Sequence, residues 1–509
     1  MELKLLMKGS REAVIEIDDG NKFEADTEYN VLVNGKNYLN TKRTVVSLYE
    51  LEPNSDVEVK VISGILTAVL FFHTDMETVS LNVKDFGAKG DGKSDDTAFI
   101  QAAIMSCPKE GRVVVPEGVY KIYPLFFRSS ITFELKKGAV LSAFTDREKF
   151  PVLSGNVKAN NDYGEYFLGS WEGDPAKMFA GVMTLVGVKN VLITGEGTID
   201  GNASTDNWWF EPKKIKIAAR PRMIFINQCK DIRVQGITVK NSPSWNIHPF
   251  FSKDLGFYDL KIQSPKVSPN TDGLNPESCK NVDIVGNLFS VGDDCIAIKS
   301  GKIYMGAKYK TPSKKIRIRK CRMQDGHGAI VIGSEMAGGV KELLVEDCEF
   351  LRTDRGLRIK TRRGRGKDAI VDGVTFNNIF MDNVMTPVVI NAFYFCDSDG
   401  HSEYVQSKES LPVDERTPEL GAFLFKNIEA LNCHVAASYL YGLPEKKIKS
   451  VKFENVKISF AKEKMPGVPA MMDGIEEMTG TGLFAKNVEK LDLENVSVTG
   501  TETEEFVIE

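Results

Sequence analysis

The sequence predicts an all-β protein, a parallel β-helix preceded by a small β-sandwich, and three observations carry that expectation. A short unit recurs along most of the chain: a charged or Asn-bearing turn, an apolar-x-apolar strand, then a second short strand. Only one segment has a clear helical pattern. Residues 1 to 78 have a different texture, with short apolar or alternating runs divided by turn signals.

Among those N-terminal runs are Tyr29-Asn30-Val31-Leu32-Val33 and Val57-Glu58-Val59-Lys60-Val61, separated by turns such as Asp18-Asp19-Gly20 and Asn34-Gly35. Alternation with a period of two turns one face to a core and one to water, as a sandwich requires. The longest apolar stretch, Ile65 to Phe72, is too short to cross a bilayer and is expected to be a buried strand. From residue 79 to 509 the repeated unit takes over. It recurs at Asn190-Val191-Leu192-Ile193, Asp231-Ile232-Arg233-Val234, Asn281-Val282-Asp283-Ile284, Lys315-Ile316-Arg317-Ile318, Glu342-Leu343-Leu344-Val345, Gly373-Val374-Thr375-Phe376 and Lys490-Leu491-Asp492-Leu493. Clear neighbours lie roughly 25 to 50 residues apart, the spacing of stacked repeats. One coil cannot bury its own inner side chains, so the stack must supply the core. The helix is expected from Asp96 to Met105, with Ser94-Asp95 as its N-cap, closing the open N-terminal end of the stack. Trp208 and Trp209 are expected to fill core.

Composition narrows the function. The 509 residues are 42% hydrophobic and 27% charged, ordinary for a globular chain with a long core. Net charge is -5, from 65 basic and 70 acidic residues, so no global positive field gathers phosphate backbones and nucleic acid is not an expected partner. Glu2, Lys4, Lys8, Arg11 and Glu12 interrupt any apolar run of signal-peptide length, which predicts a cytoplasmic location, and no run predicts a membrane segment. The eight cysteines are scattered without a CxxC pair and are expected as reduced core thiols, not as metal ligands.

The densest polar signal falls between Asn270 and Lys360. Asn270-Thr271-Asp272, Gly292-Asp293-Asp294-Cys295, Gly326-His327-Gly328 and Arg358-Ile359-Lys360 follow one another on successive repeats. Equivalent positions one coil apart lie side by side in a solenoid, so Asp272, Asp293 and Asp294 are expected to converge. Adjacent strand residues face opposite ways, hence Asp293 and Asp294 can both serve only where the chain bends, and Gly292 makes a bend easy. Clustered carboxylates repel, and one relieves the repulsion by keeping a proton, which sets an acid beside a base. Glycosidic cleavage needs that pairing. His327 could tune the acid or bind a hydroxyl; Arg358 and Lys360, two apart, would present two cations on one face, suited to an anionic sugar.

These four motifs resemble the signature of family 28 glycoside hydrolases, the polygalacturonases. Phe86-Gly87-Ala88-Lys89-Gly90-Asp91-Gly92 with Asp95-Asp96-Thr97, then Gly197-Thr198-Ile199-Asp200-Gly201, then Asn241-Ser242-Pro243-Ser244-Trp245 through His248-Pro249 extend the resemblance over roughly residues 80 to 500. It implies a right-handed parallel β-helix that hydrolyses α-1,4-linked galacturonate with inversion and without a metal or other cofactor. Carried over by motif, Asp293 would be the general acid, Asp272 and Asp294 would hold and activate water, His327 would support the acid, and Arg358 and Lys360 would bind a galacturonate carboxylate. The Gly-His-Gly and Arg-Ile-Lys motifs imply homogalacturonan over rhamnogalacturonan. Lys299 is expected to reach a substrate carboxylate, and Asn246 and His248 to line the sugar groove.

Residues Leu48 to Val61 resemble the end of a fibronectin type III-like module, with Val57 where that family commonly has a tyrosine. Such a module before the β-helix resembles bacterial exo-polygalacturonases, and three segments are candidates to close one end of the groove. They are Asn156 to Met178, the basic run Arg362-Arg363-Gly364-Arg365-Gly366-Lys367, and Asp397 to Thr417. Arg363 and Arg365 are placed at a substrate end because their run follows a carboxylate-binding motif. Within the hydrolases, an endo-polygalacturonase and a xylogalacturonan or rhamnogalacturonan hydrolase remain open at this point, and so do two other classes: a calcium-dependent pectate lyase and a non-catalytic glycan-binding β-helix.

Overall fold

A computed structural model describes all residues, Met1 to Glu509. Strands Glu2–Lys8, Ala13–Asp18 and Val45–Leu48 form a three-stranded antiparallel sheet. Opposite it, Lys36–Arg43, Glu24–Val33, Asp56–Ser63 and Leu66–His73 form a four-stranded one, in that order. Alternation does what the sequence demands: Val57, Val59 and Val61 point into a small core with Ile15, Ile17, Tyr29 and Val31. The apolar stretch after Gly64 departs from expectation. Leu66–His73 is an edge strand paired only with Asp56–Ser63, so Ala68, Leu70 and Phe72 face the core while Phe71 is 70% exposed. An unbroken apolar run cannot announce which of its faces lacks a partner.

The second unit begins at strand Ser80–Asn82 and coils to the C-terminus as parallel β-strands. One sheet holds 23 strands; a second holds Leu125–Phe126, Met183–Val186, Ile224–Asn227 and Ile247–Phe250. A third runs from Ile296–Ile298 through Ile330–Gly333, Arg355–Lys360 and Thr386–Asn391 to Phe506–Ile508. Isolated bridges from Ile247 to Leu274 and from Leu274 to Ile296 join the second and third into one face.

Register explains the repeat seen in the sequence. Ile232, Leu255, Val282, Ile316, Leu343 and Val374 align coil on coil, and so do Val234, Phe257, Ile284, Ile318, Val345 and Phe376. All belong to one buried core of 96 residues. The residue preceding each apolar pair turns the chain: Asn190, Asp231, Asn281, Lys315 and Glu342 are all left-handed, a conformation that short polar side chains tolerate best. Asp254, in the same conformation, marks a coil between Asp231 and Asn281 that accounts for their wide spacing.

The helix spans Thr97–Ser106 and buries Ile100, Ala103 and Ile104. Its N-cap position is Asp96, not the Ser94-Asp95 pair. The Asp96 carboxylate accepts from the Lys89 and Gly90 N–H groups, leaving Asp95 to accept from Thr97 N–H. Seven cysteines are buried free thiols; Cys396 is the exception, half-buried beside the pocket described below. Trp208 and Trp209 pack with Phe150 and Phe179 in a buried cluster.

The sandwich docks on the large sheet. Tyr49 Oη donates to Gly195 O at 3.2 Å, Ser47 Oγ to Asp259 at 2.8 Å, and Arg319 pairs with Glu16 at 2.8 Å. At the centre Arg112, 1% exposed, meets Glu12 at 2.7 Å, Glu77 at 2.8 Å and Glu134 at 3.1 Å. Glu12 comes from the sandwich, Arg112 and Glu134 from the β-helix, and Glu77 from the connection between them.

Candidate active site

Three turns on consecutive coils open on one side of the joined face and enclose a pocket of about 230 Å³. Asp272, Asp293 and Asp294 line it together with Lys299, Glu335, Lys360, Asn270, Trp171, Glu172, Trp245, Tyr394 and Asp397. The sandwich contributes nothing to this lining. Asp293 and Asp294 lie between strands Leu288–Ser290 and Ile296–Ile298, so the strand rule that would separate their faces does not apply. Gly292 acts through close approach, since a Cβ there would meet Ser268 O at 2.4 Å and Pro265 O at 2.6 Å. Gly328 likewise gives way to neighbours; its Cβ would lie 2.4 Å from Val331 Cγ2 and 3.4 Å from Asp294 Oδ1.

The carboxylates are not equivalent. Burial and the neighbouring Asp293 push Asp272 up to about 7, although Lys299 and a hydrogen bond from Asn275 Nδ2 at 2.8 Å pull the other way. Asp293 is also raised, by burial and by Asp294. Burial acts on Asp294 in the same sense, but Lys360, 2.7 Å from Oδ2, and Arg358, 3.7 Å from Oδ1, more than offset it and hold Asp294 low. An ionised carboxylate thus sits beside two that favour holding a proton.

His327 donates its backbone N–H to Asp293 O at 3.1 Å, and its Nδ1 is 2.8 Å from Asp354 Oδ2. That hydrogen bond, with the nearby Asp293, raises the imidazole above its usual value. Sequence reasoning missed Asp354, which lies one coil beyond His327 and so directly beside it. It also missed Glu335, which pairs with Lys299 at 2.8 Å, and Tyr394, whose ring centroid is 5.9 Å from the Arg358 guanidinium and 5.8 Å from Lys360 Nζ. Only Asp354 left a readable signal, its spacing.

Four expected substrate contacts are placed elsewhere. Asn246 is fully buried and donates to the Thr271 and Asp272 carbonyls at 3.1 Å, fastening the turn that carries Asp272. His248, equally buried, pairs with Glu277 at 2.8 Å behind Trp245. Both belong to the strand and coil beneath the groove, not to its wall. Arg363 is buried against Glu445 at 2.6 Å and donates to the Ser407 carbonyl at 2.7 Å. Arg365 pairs with Asp397 at 3.0 Å. The basic run therefore fastens the segment after Phe395 to the β-helix: guanidinium groups bury readily when carboxylates and carbonyls surround them.

An acid, a paired base and cations in one cleft are the equipment of a hydrolase for an anionic chain. The chain belongs to family 28 of the glycosyl hydrolases: that family's model matches residues 152–465. A model described as rhamnogalacturonase A/epimerase, pectate lyase-like, matches residues 80–138. A probable polygalacturonase of Vitis vinifera is 31% identical over 426 residues, 81% of this chain and 81% of that protein. The crystal structure of a hyperthermoactive exopolygalacturonase from Thermotoga maritima is 26% identical, with a TM-score of 0.66, over 84% of this chain and 93% of that one. A family 28 exopolygalacturonase of Yersinia enterocolitica shares the fold over 99% of this chain and 97% of its own, with 19% identity and a TM-score of 0.69.

Proposed function

We propose that the protein hydrolyses α-1,4-galacturonosidic bonds of polygalacturonate or oligogalacturonates with inversion, acting from a chain end. The observation that carries the reading is the unequal trio: Asp294 held ionised by Lys360, beside Asp272 and Asp293, which favour protonation. Asp293 protonates the leaving oxygen, Asp272 and Asp294 hold and activate water, and Arg358 and Lys360 supply the positive field for a galacturonate carboxylate. Action from an end is supported by the pocket's walls. Trp171 and Glu172 come from the 156–178 segment, and Cys396 and Asp397 begin the segment that Arg365 fastens. The exopolygalacturonase from Thermotoga maritima supports the same reading.

Product analysis over time on polygalacturonate and on a defined oligogalacturonate, with a chelator present, tests it. Monogalacturonate alone from the earliest points is expected. Mixed oligomers would establish endo cleavage, and chelator-sensitive release of unsaturated, ultraviolet-absorbing product would establish a lyase. The pH profile gives a second check. The acid must keep its proton, so the rate is expected to peak on the acidic side of neutrality and fall as the proton shared by the Asp272 and Asp293 pair leaves. A rate still rising well into the alkaline range would contradict the assignment.

A further inference from the structure

Lys299 lines the pocket, but its ammonium is already engaged. Nζ lies 2.8 Å from Glu335 Oε2 and 3.9 Å from Asp272 Oδ2, with the Trp245 ring centroid 4.5 Å away. Lys299 and Glu335 are 4% and 7% exposed, so the pair is built into the wall. The shorter contact is a charge-assisted hydrogen bond; 3.9 Å is too long for one. The cation therefore acts on Asp272 through its field and leaves the carboxylate lone pairs open. The one side-chain hydrogen bond to Asp272 comes from Asn275.

We infer that Glu335 is a positioning residue for the hydrolytic reaction: it holds Lys299 back from Asp272, so that the carboxylate lies within the field of the ammonium yet stays free to bind water. This rests on Asp272 being part of the base. The groups facing Asp272 are Asp293 and Asp294 from the next coil, Lys299 just after the strand that follows them, and Arg222 from a preceding coil. The two aspartates and burial favour its neutral form, and Lys299 is the principal opposing charge. Glu335 is faced by Lys299, Arg365 and Lys360, which keep it ionised despite its burial. Lys299 in turn feels Glu335, Asp272 and Asp294.

The test compares pH profiles of kcat/KM for Lys299→Met, Lys299→Arg and Glu335→Gln, on whichever galacturonan the wild type cleaves. Loss of the cation in Lys299→Met moves the acid limb to higher pH by about one pH unit or more. Glu335→Gln leaves Asp272 as the one carboxylate within reach of Lys299; the ammonium closes onto it, the acid limb moves to lower pH, and kcat falls because the water-binding oxygen is occupied. Lys299→Arg keeps the charge and restores the wild-type limb. Opposite shifts in the first and last substitutions establish the role. Limbs that stay put while KM alone rises would overturn it and return Lys299 to substrate-carboxylate binding, as would shifts of the same sign. Should Lys299→Met fail to fold, the Glu335→Gln limb decides alone: a downward shift supports the role and an unmoved limb overturns it. The two readings fail separately, since a wild type that does not cleave polygalacturonate overturns the substrate assignment, whereas an active wild type with unmoved limbs overturns only the positioning.

Discussion

Asp293→Asn is expected to lower kcat by about a thousandfold, within the range that a positioned general acid contributes. The substitution is nearly isosteric, and burial and Asp294 already disfavour a charge on Asp293, so a neutral amide there avoids repulsion from Asp294 without breaking an ion pair. The thermal midpoint is therefore expected at or above that of the wild type, with substrate affinity retained through Arg358 and Lys360. Single-turnover kinetics on an oligogalacturonate beside a melting curve separate the two readouts. Turnover like that of the wild type would remove Asp293 from the acid role, and a collapsed melting curve would make it a structural residue. The parallel change at Asp294 should behave differently, because Asp294 is the partner of Lys360 and losing it strands a buried cation.

The second large effect lies far from the pocket. Arg112→Met should cost about 3–5 kcal/mol of stability, the usual consequence of stranding buried charge. Glu12, Glu77 and Glu134 converge on this one guanidinium, and Glu12 and Arg112 are each 1% exposed. Burial already pushes Glu12 upward despite its partner, which shows how strongly the site depends on the cation. Chemical denaturation and hydrogen exchange across Ala13–Asp18 should register the loss first, since Glu12 adjoins that strand. Adding Glu12→Gln, Glu77→Gln and Glu134→Gln should recover much of the stability, because an apolar residue among neutral amides leaves no fully buried charge, and Arg11 and Lys136, which lose Glu77 and Glu134 as partners, are about one-third exposed to water. If Arg112→Met melts like the wild type, the cluster is not what fastens the sandwich.

Much of this molecule can be read from its residues, and the reasons differ by element. The coil repeat was legible because two local rules agree at each turn: a short polar or charged residue accepts a left-handed backbone, and the next apolar pair must face the core. The trio of aspartates was legible because a solenoid converts sequence period into spatial adjacency. The same logic would have found Asp354, one coil beyond His327. By contrast, Asn246, His248, Arg363 and Arg365 carry the right chemistry for sugar binding and are used for holding the wall together. Whether an arginine meets a ligand or a buried glutamate depends on a partner such as Glu445, which lies 82 residues away and follows no repeat.

By itself, then, the chain determined its architecture and the convergence of its three aspartates, since both follow from periodic, nearest-neighbour relations between coils. Tertiary structure alone decided which cations remain open to substrate, how Glu335 restrains Lys299, and where the sandwich docks. Those outcomes depend on long-range charge pairing in buried surroundings, where an ångström separates a hydrogen bond from a field and no local pattern records the difference.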